Sequence, residues 1–148
     1  MRSVRKLIQA GVFCSAVLGC GSESITGNQI PDVAGNWHAS RAQVTSVANS
    51  ANTIELIAFG ATIQVVFSAN HTFVTTATFP GEAPDVSTGT YTVTATKLTL
   101  TNDQASGGEI QVFDVALNNG TLLLTNGTIN FDFGAGDVAS KLDITLVH

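Results

Sequence analysis

Residues 63–79 read IQVVFSANHTFVTTATF and contain two runs of alternation. Ile63, Val65 and Phe67 alternate with Gln64 and Val66. Ala69, Asn70 and His71 break the pattern, and Phe73, Thr75, Ala77 and Phe79 resume it until Pro80, Gly81, Pro84 and Asp85 end the run. A side-chain period of two marks a half-buried strand, and two such runs joined by turn residues read as an antiparallel pair. The pattern recurs downstream. Gly89, Tyr91, Val93 and Ala95 share one face and Thr88, Thr90, Thr92 and Thr94 the other, a threonine face that suits both water and a strand. Leu98 and Leu100 continue it, and Leu142, Ile144 and Leu146 close the chain against Lys141, Asp143 and Thr145.

Between these runs the stretch from Glu109 to Leu117 alternates with apolar residues on both faces: Gln111, Phe113, Val115 and Leu117 lie opposite Ile110, Val112 and Ala116. One face therefore needs a cover, which the segment Ile54 to Phe59 or another protein could supply. Asn119-Gly120 and Asn126-Gly127 are strong hairpin signals, because both turn residues must take positive φ. They predict three successive strands, 109–117, 121–125 and 128–133. Residues 48–58 read either as a short strand or as a single helical turn. With a run starting at Trp37, the count is eight to ten short antiparallel strands in meander order. The predicted fold class is all-β: an up-and-down barrel, which leaves no unpaired edges, or a two-sheet sandwich, which fits the same spacing.

The chain has 148 residues, one domain's worth, with 11 acidic against 6 basic side chains. Arg2, Arg5 and Lys6 lie in the first six positions, so loss of that leader would leave a net charge of minus 8. Such a surface repels phosphate backbones, and no nucleic-acid partner is expected. Behind the basic head, Leu7 to Leu18 form an apolar run of about a dozen residues, the length of a secretory signal and short of a membrane span. The segment Val17, Leu18, Gly19, Cys20 resembles the lipobox of bacterial lipoproteins. The resemblance implies a signal peptide over 1–19, cleavage before Cys20 and acylation of its sulfur. The protein would then be anchored to the bacterial cell envelope, at the outer membrane because Gly21 and not Asp follows the cysteine. Cys14 leaves with the leader, so the mature domain has no free thiol and no intramolecular disulfide. Gly21 to Ala34, rich in Gly and Ser, then reads with Cys20 as a tether (20–34) to a domain spanning 35–148.

A second resemblance covers nearly all of that domain. Gly35, Asn36 and Trp37 give the GxW signature that opens the first strand of lipocalins, and Ser68 to Phe73, Gly89 to Tyr91 and Lys97 to Leu100 resemble the turn-then-strand, GTY and KLTL segments of bacterial lipocalin-like domains. The resemblance implies a barrel with Gly35 and Trp37 as a structural plug at one end and a small lipophilic ligand admitted at the other. A TDY-like segment, a disulfide and an arginine to stack on Trp37 are absent, Lys141 being the nearest basic residue. Trp37 is also the sole tryptophan, unlike the several that build an avidin-type biotin site.

The inward-facing candidates to line a cavity are Phe67, Phe73, Phe79, Tyr91, Val93, Leu98, Leu100, Phe131 and Phe133. An eight-stranded barrel is just wide enough either to fill itself or to hold one small ligand. Catalytic patterns are wanting. His38, His71 and His148 form no metal-ligand spacing and read as surface residues, no GxSxG elbow is present, and the DFG triplet at 132–134 lacks every other kinase element. Asp132 and Asp137 are too few for calcium and read as turn residues, as do Asn70, Asn119 and Asn126 in their N-x-Thr triplets. The sequence thus predicts no enzyme, cofactor or metal. It predicts an exported, lipid-anchored protein that binds a small apolar molecule, or a structural or protein-interaction lipoprotein with a filled barrel.

Overall fold

The computed structural model describes residues 29–148. The signal peptide expected over 1–19, Cys20 and the first part of the expected tether lie outside the described residues. The strands are β1 (Gly35–Ser46), β2 (Thr53–Glu55), β3 (Thr62–Phe67), β4 (Thr72–Thr78), β5 (Asp85–Val93), β6 (Lys97–Asn102), β7 (Ile110–Asn118), β8 (Thr121–Asp132) and β9 (Asp137–Val147), with a 3-10 helix at Gln104–Ser106. From β3 onward each strand pairs antiparallel with the next, and β9 returns to pair with β1 from His38↔Val147 to Ser46↔Ser140. That pairing closes an eight-stranded barrel and excludes the sandwich. The ninth strand, β2, pairs with Gln43–Thr45 of β1, on the part of the strand beyond the residues that pair with β3.

The period-two expectation holds along most of the wall: Ile63, Val65 and Phe67 are buried on β3 while Thr62, Gln64 and Val66 are exposed. Two strands change phase. In β1, Trp37 and Ala39 point inward, then Ala42, Val44 and Ser46 do, because a bulge between Ala39 and Arg41 inserts one residue. In β8, Leu122 and Leu124 are buried and then Gly127, across a second bulge between Leu124 and Gly127. A bulge adds an unpaired residue and so moves the inward face from one parity to the other.

The second bulge corrects the sequence reading. Asn126-Gly127 is not a hairpin turn, and residues 121–132 form one strand instead of two. Asn126 does take positive φ (58°), as the turn reading required, but neighbouring strands hold it. Its backbone N–H donates to Asp143 Oδ1 at 2.8 Å, its amide donates to Asp114 Oδ2 at 2.7 Å, and Lys141 Nζ donates to its Oδ1 at 3.3 Å. Lys97 pairs with the other oxygen of Asp114 at 2.6 Å. Inside the wall, a Cβ on Gly127 would meet the Phe113 ring at 2.1 Å, so the ring packs where only glycine fits. Asn119-Gly120, by contrast, is the expected turn, with φ of 49° and 76° joining β7 to β8.

Residues 48–58 are both things the sequence allowed: the short strand β2, then one helical turn closed by Phe59 N–H to Glu55 C=O at 3.1 Å. This segment does not cover the outer face of β7. It folds over one end of the barrel, where Leu56 is buried, and leaves Ile110 and Val112 exposed (65% and 42%). Its position is held by the Glu55 carboxylate, which accepts from Ala42 N at 2.7 Å, from Ile57 N at 3.4 Å and from Ala58 N.

Candidate functional site

The strand directions divide the interior into two ends. One end receives the start of β1 and the termini of β3 and β9, and it is solid. Trp37 is 3% exposed there, among buried Val33, Phe73, Tyr91, Leu98, Leu122 and Leu146. The Trp37 Nε1–H donates to Val33 C=O at 2.8 Å, so ordered packing begins before β1 in a stretch read as tether. The His148 ring stacks on Trp37 with centroids 3.9 Å apart, and its Nδ1 lies 3.1 Å from Asn36 C=O. His148, read as a plain surface residue, thus takes the position for which the sequence offered no arginine and only Lys141. Tyr91 closes the same end: its hydroxyl donates to Ser68 C=O at 2.9 Å, its ring meets Phe67 edge-on at 5.0 Å, and burial together with Asp32 raises its pKa above the ordinary phenol value.

The other end is hollow. A cavity of about 200 Å³ lies beneath the Leu56 flap, walled by Leu56, Ile63, Val65, Phe67, Thr75, Ala77, Phe79, Leu100, Gln111, Phe113, Leu124, Ile129, Phe131, Leu142 and Ile144. Thr75 and Gln111 are the polar side chains on this wall. Of the nine candidates from the sequence, Phe67, Phe79, Leu100 and Phe131 line the chamber. Phe73, Tyr91 and Leu98 are buried in the solid end, and Val93 and Phe133 are half-buried at the edge of the core, Phe133 edge-on to Phe131 at 4.9 Å. Phe113, Ile129, Leu142 and Ile144 were missed although all lie on alternating strands, Ile129 on the same face as Phe131. Leu56 sits in a turn and carried no periodic signal.

The acidic residues near this end serve the loops. Asp132 Oδ1 accepts from the Gly134 and Gly136 N–H groups at 2.6 and 2.8 Å, and these bonds lower its pKa. Asp103 caps the 3-10 helix through Ser106 N at 2.8 Å and accepts from the Thr88 hydroxyl; that hydroxyl first, then the Ser106 amide, lowers its pKa. Burial would raise the pKa of Glu55, yet the Ala42, Ala58 and Ile57 amides and the charge of Arg41 together hold it below the ordinary value. Among the described residues no group of three or more His, Cys, Asp and Glu comes together.

The fold and the hollow define an antiparallel barrel plugged by a tryptophan at one end and carrying an apolar chamber at the other. A family model described as "Lipocalin-like domain" matches residues 33–124, from the carbonyl that holds Trp37 into β8, and the chain belongs to that family. No curated protein matches it. A lipocalin-like barrel suggests small hydrophobic ligands, and the chamber has the lining such a ligand needs.

Proposed function

We propose that this protein is an exported, lipid-anchored envelope protein whose barrel binds a small apolar molecule noncovalently and without catalysis. The observation that carries the proposal is the chamber of about 200 Å³, walled by apolar side chains inside a lipocalin-like barrel. An engineered apolar cavity of about 150 Å³ stays dry and takes up benzene, so this volume accommodates one ring or a short aliphatic chain. A larger ligand would protrude past Leu56. The void speaks against the filled-barrel reading, since interiors with no ligand to hold are close-packed. Native mass spectrometry of the protein purified from its own host tests the proposal: a copurifying lipophile of that size is expected, and its absence together with no uptake of benzene-sized probes would overturn it.

The membrane part of the proposal rests on the basic head, the apolar run and Cys20 in the sequence. Gly21 after the cysteine favours the outer membrane. The entry of β1 at the Trp37 end fits this reading, because a tether arriving there puts the plugged end toward the bilayer and the chamber away from it. Cys20→Ser is expected to abolish labelling by a radioactive fatty acid and to release the protein from membranes; unchanged labelling would remove the anchor from the proposal.

A further inference from the structure

The chamber wall has a break in its ladder beside a surface slot. Pairing between β7 and β8 runs only from Asn118↔Thr121 to Asp114↔Thr125. Beyond it, Ile110–Phe113 pair with β6 alone and Gly127–Asp132 with β9 alone. The bulge at Asn126 parts the strands, and a slot of about 360 Å³ fills the gap, with Glu109, Ile110 and Gln111 on one side and Thr128, Ile129 and Asn130 on the other. Gln111 and Ile129 line both the slot and the chamber and so stand between the two spaces, where two strand edges lack ladder partners. Unpaired strand backbone is a strong hydrogen-bonding surface.

Gln111 stands where the two spaces meet. Its register opposite Leu100 turns it inward, and it is half-buried in a wall that is otherwise almost wholly apolar. Its amide is in reach of solvent, since among the described residues no buried side-chain polar atom lacks a partner, and it can both donate and accept. The charged groups at the openings are all acidic: Glu109 at the slot, and Glu82 and Asp132 in the hollow above Leu56, Phe79 and Phe131. Among the described residues no Lys or Arg lines the chamber or either opening. An anionic head would therefore leave water without a countercharge and face carboxylates.

We propose that Gln111 and the slot between β7 and β8 form a subsite for the uncharged, hydrogen-bonding head of a small amphiphile, of primary-amide type, whose ring or short chain occupies the chamber. The inference rests on the chamber being a ligand site, and the test separates the two. Toluene, benzamide and benzoate share one ring and differ in the head, and each is titrated calorimetrically into the wild type and Gln111→Leu. Toluene is expected to bind the variant at least as tightly as the wild type, the wall having become more apolar, whereas benzamide loses roughly three- to ten-fold in the variant, the worth of a net hydrogen bond. Benzoate is expected to bind wild type at least about ten-fold more weakly than benzamide, because its charge finds no partner. Toluene binding with benzamide indifferent to Gln111→Leu, or with benzoate as tight as benzamide, overturns the head subsite and leaves the chamber standing. Failure of toluene to bind the wild type overturns both. Retained toluene binding also shows that the variant is folded.

Discussion

Trp37 shows how one residue can be legible in sequence while its surroundings are not. The ring was expected at a barrel end, and it is there, but its two specific partners come from outside any motif. Val33 supplies the carbonyl for Nε1–H from four residues upstream, and His148 supplies the stacked ring from the last position of the chain. Trp37→Ala is expected to cost roughly 3–5 kcal/mol, the range for emptying a large buried aromatic site. His148→Ala should cost under about 1.5 kcal/mol, since it removes an exposed ring–ring contact and the polar contact of Nδ1 with Asn36 C=O but no core volume. Urea unfolding of both variants checks the ordering; a Trp37→Ala loss of only about half a kcal/mol, the scale of surface substitutions, would mean the ring is no plug.

At the scale of elements, the bulges and the flap decide what the strands can do. An asparagine–glycine pair supplies positive φ, and sequence cannot say whether that φ reverses the chain or only kinks it. Here Asp114, Lys141 and Asp143 on adjacent strands capture Asn126, and Phe113 packs over Gly127, so the strand runs on with its inward face shifted. The flap is held by its pairing with β1, by Leu56 N–H donating to Ala42 C=O at 2.7 Å and by one carboxylate, that of Glu55. Because Glu55 has its pKa lowered in the folded state, its stabilising effect is complete above the ordinary carboxylate value near 4.5 and is lost as pH falls through the folded value. Glu55→Gln is expected to lower stability by up to about 1 kcal/mol at pH 7, the group being partly exposed, and by less at a pH below the folded value, where the wild-type carboxyl is itself protonated. Unfolding curves at the two pH values, with amide exchange at Ile57 and Ala58, measure the difference. An equal penalty at both would assign Glu55 a role in packing alone.

For the whole molecule, the consequential fact is that a barrel with so many large apolar residues is filled at one end only. Ala77 is a small residue on the chamber wall. Ala77→Phe would place a ring in the void, and thermal unfolding is expected at an unchanged or higher temperature, cavity filling commonly adding about 0.5–2 kcal/mol. Toluene uptake should be lost. Retained toluene affinity would place its binding site elsewhere. The sequence alone determined most of the strands and the all-β class, because period-two alternation and turn chemistry act over a few residues and are written locally, and the GxW resemblance implied the tryptophan at a barrel end. It did not determine that β9 would close on β1, that two bulges would shift inward faces, that Leu56 would roof a chamber, or that Gln111 would stand in the gap between β7 and β8. Those depend on pairing between residues far apart in the chain. A void is defined by what surrounds it from all sides, and only the assembled barrel brings those sides together.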